Sequence, residues 1–308
     1  MSEAVSRPGS GEAIPGRLNI ALTAAALPAA LFLLWFASHT ESWVWRIGAA
    51  VAFSYVNNTI FSLLYEAVHG IFHPRRAVND AFGRLTAAFF PTGYTFQRVC
   101  HLGHHRRNRT DVELFDYFLP DDNKPLKAAQ WYGILTGVYW LLPPLASLAY
   151  LLAPGLFRVS LFRSRAARQT SAEAMLSGFE GAPEGRMRLE ILFSFAVQAA
   201  MIWALDLSLA GWLACYAAFA LNWSSLQYAD HAWSVRDVHD GAWNLKVSRV
   251  VQYLFLNYHH HRAHHQHPGV PWLHLSKYVN FSEERPSFLR IYLRMWRGPR
   301  PLPGEETP

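Results

Sequence analysis

Long apolar runs alternate along the chain with short polar stretches in which histidine and arginine concentrate. Leu18 to Ser38 and Trp43 to Val68 are the first two apolar runs, the former interrupted by Pro28. About 20 apolar residues in a helix cross the roughly 30 Å of hydrocarbon in a bilayer, so both predict membrane-spanning helices. Leu189 to Leu205 and Leu209 to Tyr228, parted by Asp206, predict a helical hairpin. Ala128 to Leu152 carries Pro143-Pro144 near its centre. Proline removes a backbone donor and clashes with the preceding turn, so this run predicts either one kinked crossing or a hairpin that dips in and returns. Asn57 and Asn58 lie inside the second run and are expected to face protein groups instead of lipid.

Composition changes the picture from two soluble domains to one membrane domain. Hydrophobic residues make up 51% and charged residues only 16% of the 308, against about a quarter charged in soluble proteins. Such a chain is not disordered, collagen-like or a coiled coil. Two cysteines exclude a disulfide scaffold, a cysteine-ligated zinc module and a four-cysteine iron–sulfur cluster. The first apolar run is too long for a cleaved signal peptide, and a second follows at once. Residues 1–17 and 299–308 have tail-like composition, which leaves 18–298 as the single membrane domain. Ala166 to Glu184 is expected to form a short surface helix and a Gly/Pro loop.

The net charge of +6 is not arranged as a nucleic-acid-binding stripe. It falls in two segments, one with Arg75, Arg76, Arg84, Arg98, Arg106, Arg107 and Arg109, the other with Arg158, Arg163, Arg165, Arg168, Arg186 and Arg188. The positive-inside rule places both in the cytoplasm. If both flanks of 128–152 share that side, the returning hairpin is favoured. The expected fold is therefore all-α: polytopic membrane helices under a cytoplasmic, histidine-rich helical cap at an inner membrane.

Three clusters account for much of the histidine content: His69 and His73, then His101, His104 and His105, then His261, His264 and His265. Residues three and four apart share one face of a helix, so each cluster aims its imidazoles at a common point. Neutral imidazole binds iron, copper or zinc, and eight clustered histidines exceed the needs of one tetrahedral ion. Two adjacent metal ions are the economical reading, with His231, just past the fourth main run, as a ninth ligand. Gln227, one turn earlier, is a candidate to hold a metal-bound water. Isolated histidines such as His39, His239 and His274 read as surface or hydrogen-bonded residues. A lone ExxH pair, Glu66 with His69, falls short of the two pairs that ferritin-like di-iron bundles use.

The order of the three boxes and their position after apolar runs resemble the membrane fatty-acid desaturase and hydroxylase superfamily, from about Phe61 to Tyr278. The most specific stretch is Asn257 to Pro268 followed by Val270-Pro271-Trp272, which is similar to bacterial desaturases and carotenoid ketolases. The resemblance implies a non-haem di-iron centre ligated by His69, His73, His101, His104, His105, His231, His261, His264 and His265. It implies O2 as cosubstrate and oxygen-dependent desaturation of a fatty acyl chain or related lipid. Hydroxylation, carotenoid ketolation and decarboxylation are the alternatives within the superfamily. Electrons would come from a ferredoxin, a rubredoxin or a cytochrome b5 with its reductase. Many relatives carry a histidine where Tyr65 stands, next to Glu66 and four residues before His69. Either His69 and His73 form a shifted first box, or one iron site is altered and Tyr65 or Glu66 has a special role. His259, His260 and Asp230 join Tyr65, Glu66 and Gln227 as supporting residues. Phe61, Tyr65, Phe89, Phe90, Tyr94 and Trp223 are candidates to line an acyl channel. The reading from another class is a metal transporter or haem electron carrier, which would place its ligands within the spans.

Overall fold

The computed structural model describes residues 11–157 and 176–302. Its order is α1 (Gly16–His39), α2 (Trp43–His69), α3 (Arg76–Ala88), α4 (Tyr94–Arg107), α5 (Lys124–Leu135), α6 (Leu142–Leu152), α7 (Glu184–Ala204), α8 (Leu209–Ala229), α9 (Arg249–Leu254), α10 (His261–Gln266) and α11 (Phe288–Met295). The two strands among the described residues, β1 (Tyr117–Phe118) and β2 (Arg300–Pro301), pair in parallel. The fold is all-α. Most of the surface helix expected over Ala166 to Glu184 lies outside the described residues.

Three helices, α1, α2 and α7, are long and apolar enough to cross a membrane. The fourth expected span, α8, forms over the predicted residues but is not among them, because Asn222, Ser224, Ser225 and Gln227 dilute its last turns. It packs at the centre of the bundle against α1 and α2, with Cys215, Tyr216, Phe219 and Trp223 buried. Trp43, Trp45 and Trp203 are exposed near the α1–α2 and α7–α8 turns, where indole rings suit a membrane–water boundary. Asn57 and Asn58 are buried as expected, Asn57 donating to the Phe89 carbonyl at 3.3 Å and Asn58 to that of Ser54 at 2.8 Å.

The run 128–152 is bent by 91° between α5 and the segment Val138–Leu152, but not at its prolines. Pro143 and Pro144 occupy the first turn of α6, where a missing N–H costs nothing because no helical partner exists for it. The bend sits at Gly137, whose φ is 86°. A Cβ there would stand 2.8 Å from the backbone nitrogen of Leu221 on α8, so the glycine permits both the left-handed turn and the close approach. Both composition-defined tails reach into the described fold: Glu12 meets Lys277 at 3.2 Å, and the backbone N–H of Arg300 donates to the Asp116 carbonyl at 2.9 Å.

Candidate metal centre

Helix α2 ends one residue after Val68, and its last carbonyls are tied down so that His69 projects at a defined place. Gly70 takes φ 79° and donates to Ala67, while Ile71 donates to Glu66. The Ala67 carbonyl also accepts from Asn79 at 3.0 Å and from the Tyr94 hydroxyl at 2.7 Å, and Arg98 donates to that of Val68. These contacts satisfy carbonyls that a helix end leaves free. The Tyr94 hydroxyl thus helps hold the end of α2.

Helix α4 carries the second box. At about 100° per residue, His101 and His105 lie some 40° apart, while His104 falls on the other flank of His101. The short helix α10 repeats this arrangement with His261, His265 and His264. The two helices face each other so that the pairs divide. His69, His101, His105 and His264 form one group of four, and His104, His231, His261 and His265 form a second. In each group the four candidate ligand atoms all lie within 4.8 Å of one another. Within the first, the Nε2 atoms of His69 and His101 are 2.8 Å apart and those of His264 and His105 3.0 Å. In the second, the His261 and His231 Nε2 atoms are 3.0 Å apart. The groups are adjacent, the rings of His105 and His265 lying 4.4 Å apart.

The outer nitrogens orient the second group. His231 Nδ1 donates to the Gly241 carbonyl at 2.8 Å, and His104 Nδ1 meets Glu113 Oε2 at 2.7 Å, with Arg107 holding the other oxygen of Glu113. His261 Nδ1 lies 3.5 Å from Asp230 Oδ2. Asn108 donates to the Gly241 carbonyl at 3.2 Å and lies 3.5 Å from His265 Nδ1. Gly241 has no room for a side chain: a Cβ would stand 2.1 Å from the Asp237 carbonyl oxygen and 2.3 Å from Arg109 Cγ. Beneath it, Arg109 and Asp116 form a fully buried ion pair at 2.7 Å that the Tyr228 hydroxyl joins, donating to Asp116 at 2.9 Å.

The donor set suits metal ions. Burial, reinforced by neighbouring imidazoles, holds His101, His105, His231, His261, His264 and His265 well below the ordinary imidazole value of 6.5, so each keeps a lone pair free. Asp230 is fully buried, and neither of its carboxylate oxygens has a hydrogen bond. Burial holds its carboxyl well above the usual carboxylate range. A carboxylate surrounded by neutral imidazoles lacks a positive charge, which a metal ion in the second group would supply. The C-terminal ends of α2, α4 and α8, where carbonyl dipoles point outward, converge here and favour cations as well.

Residues 41–298 match the fatty acid desaturase family. The chain belongs to that family. Membership makes this desaturase relative an oxidoreductase with a desaturase- or hydroxylase-like role, a lipid substrate and a membrane setting, and the histidine groups fit metal binding. Among curated proteins, none matches the chain.

The other expected residues fall around the two groups. His73 stands outside both, its Nδ1 accepting from the backbone N–H of Arg75 at 3.0 Å. Tyr65 packs its ring against His101 at 4.3 Å and His264 at 4.8 Å, and its buried hydroxyl has no hydrogen bond. Glu66 accepts from the Trp272 backbone N–H at 3.2 Å, tying α2 to the chain after α10. Gln227 is bonded to the Tyr258 hydroxyl at 3.1 Å. His259 and His260 are buried with their Nδ1 atoms unpaired, and burial lowers them to about 3 and about 4. His39 and His274 bond to backbone carbonyls, and His239 is exposed, as isolated histidines should be. Sequence reasoning missed Glu113, Asn108, Gly241, Arg109 and Asp116. Only Glu113 carried a signal, as an acid shortly after a histidine box.

Proposed function

We propose that the protein is an oxygen-dependent lipid desaturase that binds two iron ions, one in each four-histidine group. His69, His101, His105 and His264 would hold the first ion, and His104, His231, His261 and His265 the second. His73, which stands apart, is left out of this ligand set. The observation that carries the reading is the pair of adjacent, half-buried to buried, all-imidazole groups gathered from the C-terminal ends of α2 and α8 and from α4 and α10 in a desaturase-family chain. Iron bound there supplies the oxygen chemistry that removes hydrogen from an unactivated C–H bond.

The chain's own contribution is to keep water out and present an acyl chain. An aromatic series leads from the first group into the bundle: Tyr65 to Phe61 at 6.2 Å, Phe61 to Phe90 at 5.0 Å, Phe90 to Trp223 at 4.9 Å, and Trp223 stacked on Tyr139 at 5.8 Å. These side chains are the proposed wall of the acyl site. The arginine-bearing ends would face the cytoplasm, where a ferredoxin, rubredoxin or cytochrome-type donor supplies electrons.

Mass spectrometry of lipids and pigments from cells grown under labelled oxygen tests the reading, with wild type compared with His264→Ala. New double bonds without label, absent from the variant, are the expected result. Label in an alcohol or ketone would reassign the reaction to hydroxylation or ketolation, and a shortened terminal alkene to decarboxylation. No difference from the variant, with iron bound and a donor supplied, would overturn the enzymatic reading.

A further inference from the structure

The two histidine groups are built alike from α4 and α10, yet they differ in what stands behind them. Glu113 and Asp230 are the carboxylates that lie within 4.0 Å of a site imidazole among the described residues, and both serve the second group. Glu113 is 2.7 Å from His104 Nδ1. Asp230 is 3.5 Å from His261 Nδ1 and 3.8 Å from His231 Nε2. The Gly241 carbonyl and Asn108 fix His231 and His265 from the same side. A carboxylate on the outer nitrogen of a ligating imidazole fixes its tautomer, makes it more basic, and places negative charge near the metal.

The first group has a different surround. The ring of Tyr65 covers it, packed against His69, His101 and His264 at 5.2, 4.3 and 4.8 Å. Arg98 of α4, which donates to the Val68 carbonyl at the end of α2, brings positive charge toward His69. Two carboxylates stand behind the second group, Glu113 shared with Arg107 and Asp230 without a hydrogen-bond partner, whereas an arginine stands near the first.

Building on the metal-binding reading above, we propose that the two positions are unequal. The position of His104, His231, His261 and His265 takes up a divalent ion first and releases it last, whereas that of His69, His101, His105 and His264 fills second and empties first. The difference is set by Asp230 and Glu113, which act as positioning residues through the imidazoles they stand beside. A partly loaded protein would therefore carry its ion in the second group.

The test is a metal titration of the metal-free full chain in detergent with Co(II), with bound metal read by equilibrium dialysis and the visible cobalt spectrum. Two steps are expected, separated by at least about tenfold, since loss of such outer partners typically costs ~10–100-fold in affinity. Asp230→Asn, close in shape, should weaken the tight step by a similar factor and draw the two steps together, with Glu113→Gln acting in the same direction. His264→Ala should abolish the weak step and leave the tight one. Two equal steps in the wild type, or loss of the tight step in His264→Ala, would overturn the inequality while leaving metal binding intact. Failure of the wild-type chain to bind two ions would remove the metal-binding reading together with this one.

Discussion

A residue with no room for a side chain can matter as much here as a ligand. Gly241 offers its carbonyl to both His231 and Asn108, in a space where even a Cβ collides with the Asp237 carbonyl and Arg109. Gly241→Ala is expected to displace that carbonyl and lower bound metal toward one ion per chain, measured by elemental analysis of purified protein. His259 and His260 make a second prediction, about acid. Folded, they titrate at about 3 and about 4 instead of near 6.5, so below 6.5 the unfolded chain takes up protons that the folded chain refuses. Their contribution to stability is whole above about pH 6.5 and is lost as pH falls through 4 toward 3. Unfolding temperatures in detergent should decline over that window, and less steeply in a His259→Gln, His260→Gln variant. An unchanged slope in that variant would count against the argument.

Helices were legible where apolar length alone decides them, as in α1, α2 and α7. The break in residues 124–152 was harder, because two prolines mark a boundary more loudly than one glycine does. Proline interrupts a helix interior but starts one comfortably, while Gly137 permits both the left-handed turn and the close passage of α8. Gly137→Ala should cost about 1 to 3 kcal/mol in reversible unfolding, the usual range for a non-glycine residue forced into such a conformation. The segment between α4 and β1 carries the other prediction at this scale. Arg109 and Asp116 are completely buried, and removing one partner of such a pair strands the other charge. Asp116→Ala is expected to destabilise by about 3 to 5 kcal/mol in the same measurement. No periodicity announces this pair, whose hydrogen bonds with Tyr228, Trp233 and Ser234 join it to residues more than 100 positions further along the chain.

For the molecule as a whole, spacing within each box is local and readable, but the division of the boxes into two groups is not. His104 and His105 are neighbours in sequence and belong to different groups, because consecutive residues of α4 point about 100° apart. Orientation in the membrane has its own check. A cysteine at Arg76, whose side chain is 80% exposed, should react with a membrane-impermeant thiol reagent only from the cytoplasmic side if the arginine-rich face is internal. The pairing of distant boxes also bears on how the protein is made. His264 leaves the ribosome 159 residues after His105, its partner in the first group. At ~5–20 residues per second that is a delay on the order of ten seconds. By then every long apolar helix has been synthesised, so the bundle enters the bilayer before a complete ligand set exists. Ions held as proposed would therefore be added only once the third box has emerged, to a chain already anchored, and from the face on which that box lies.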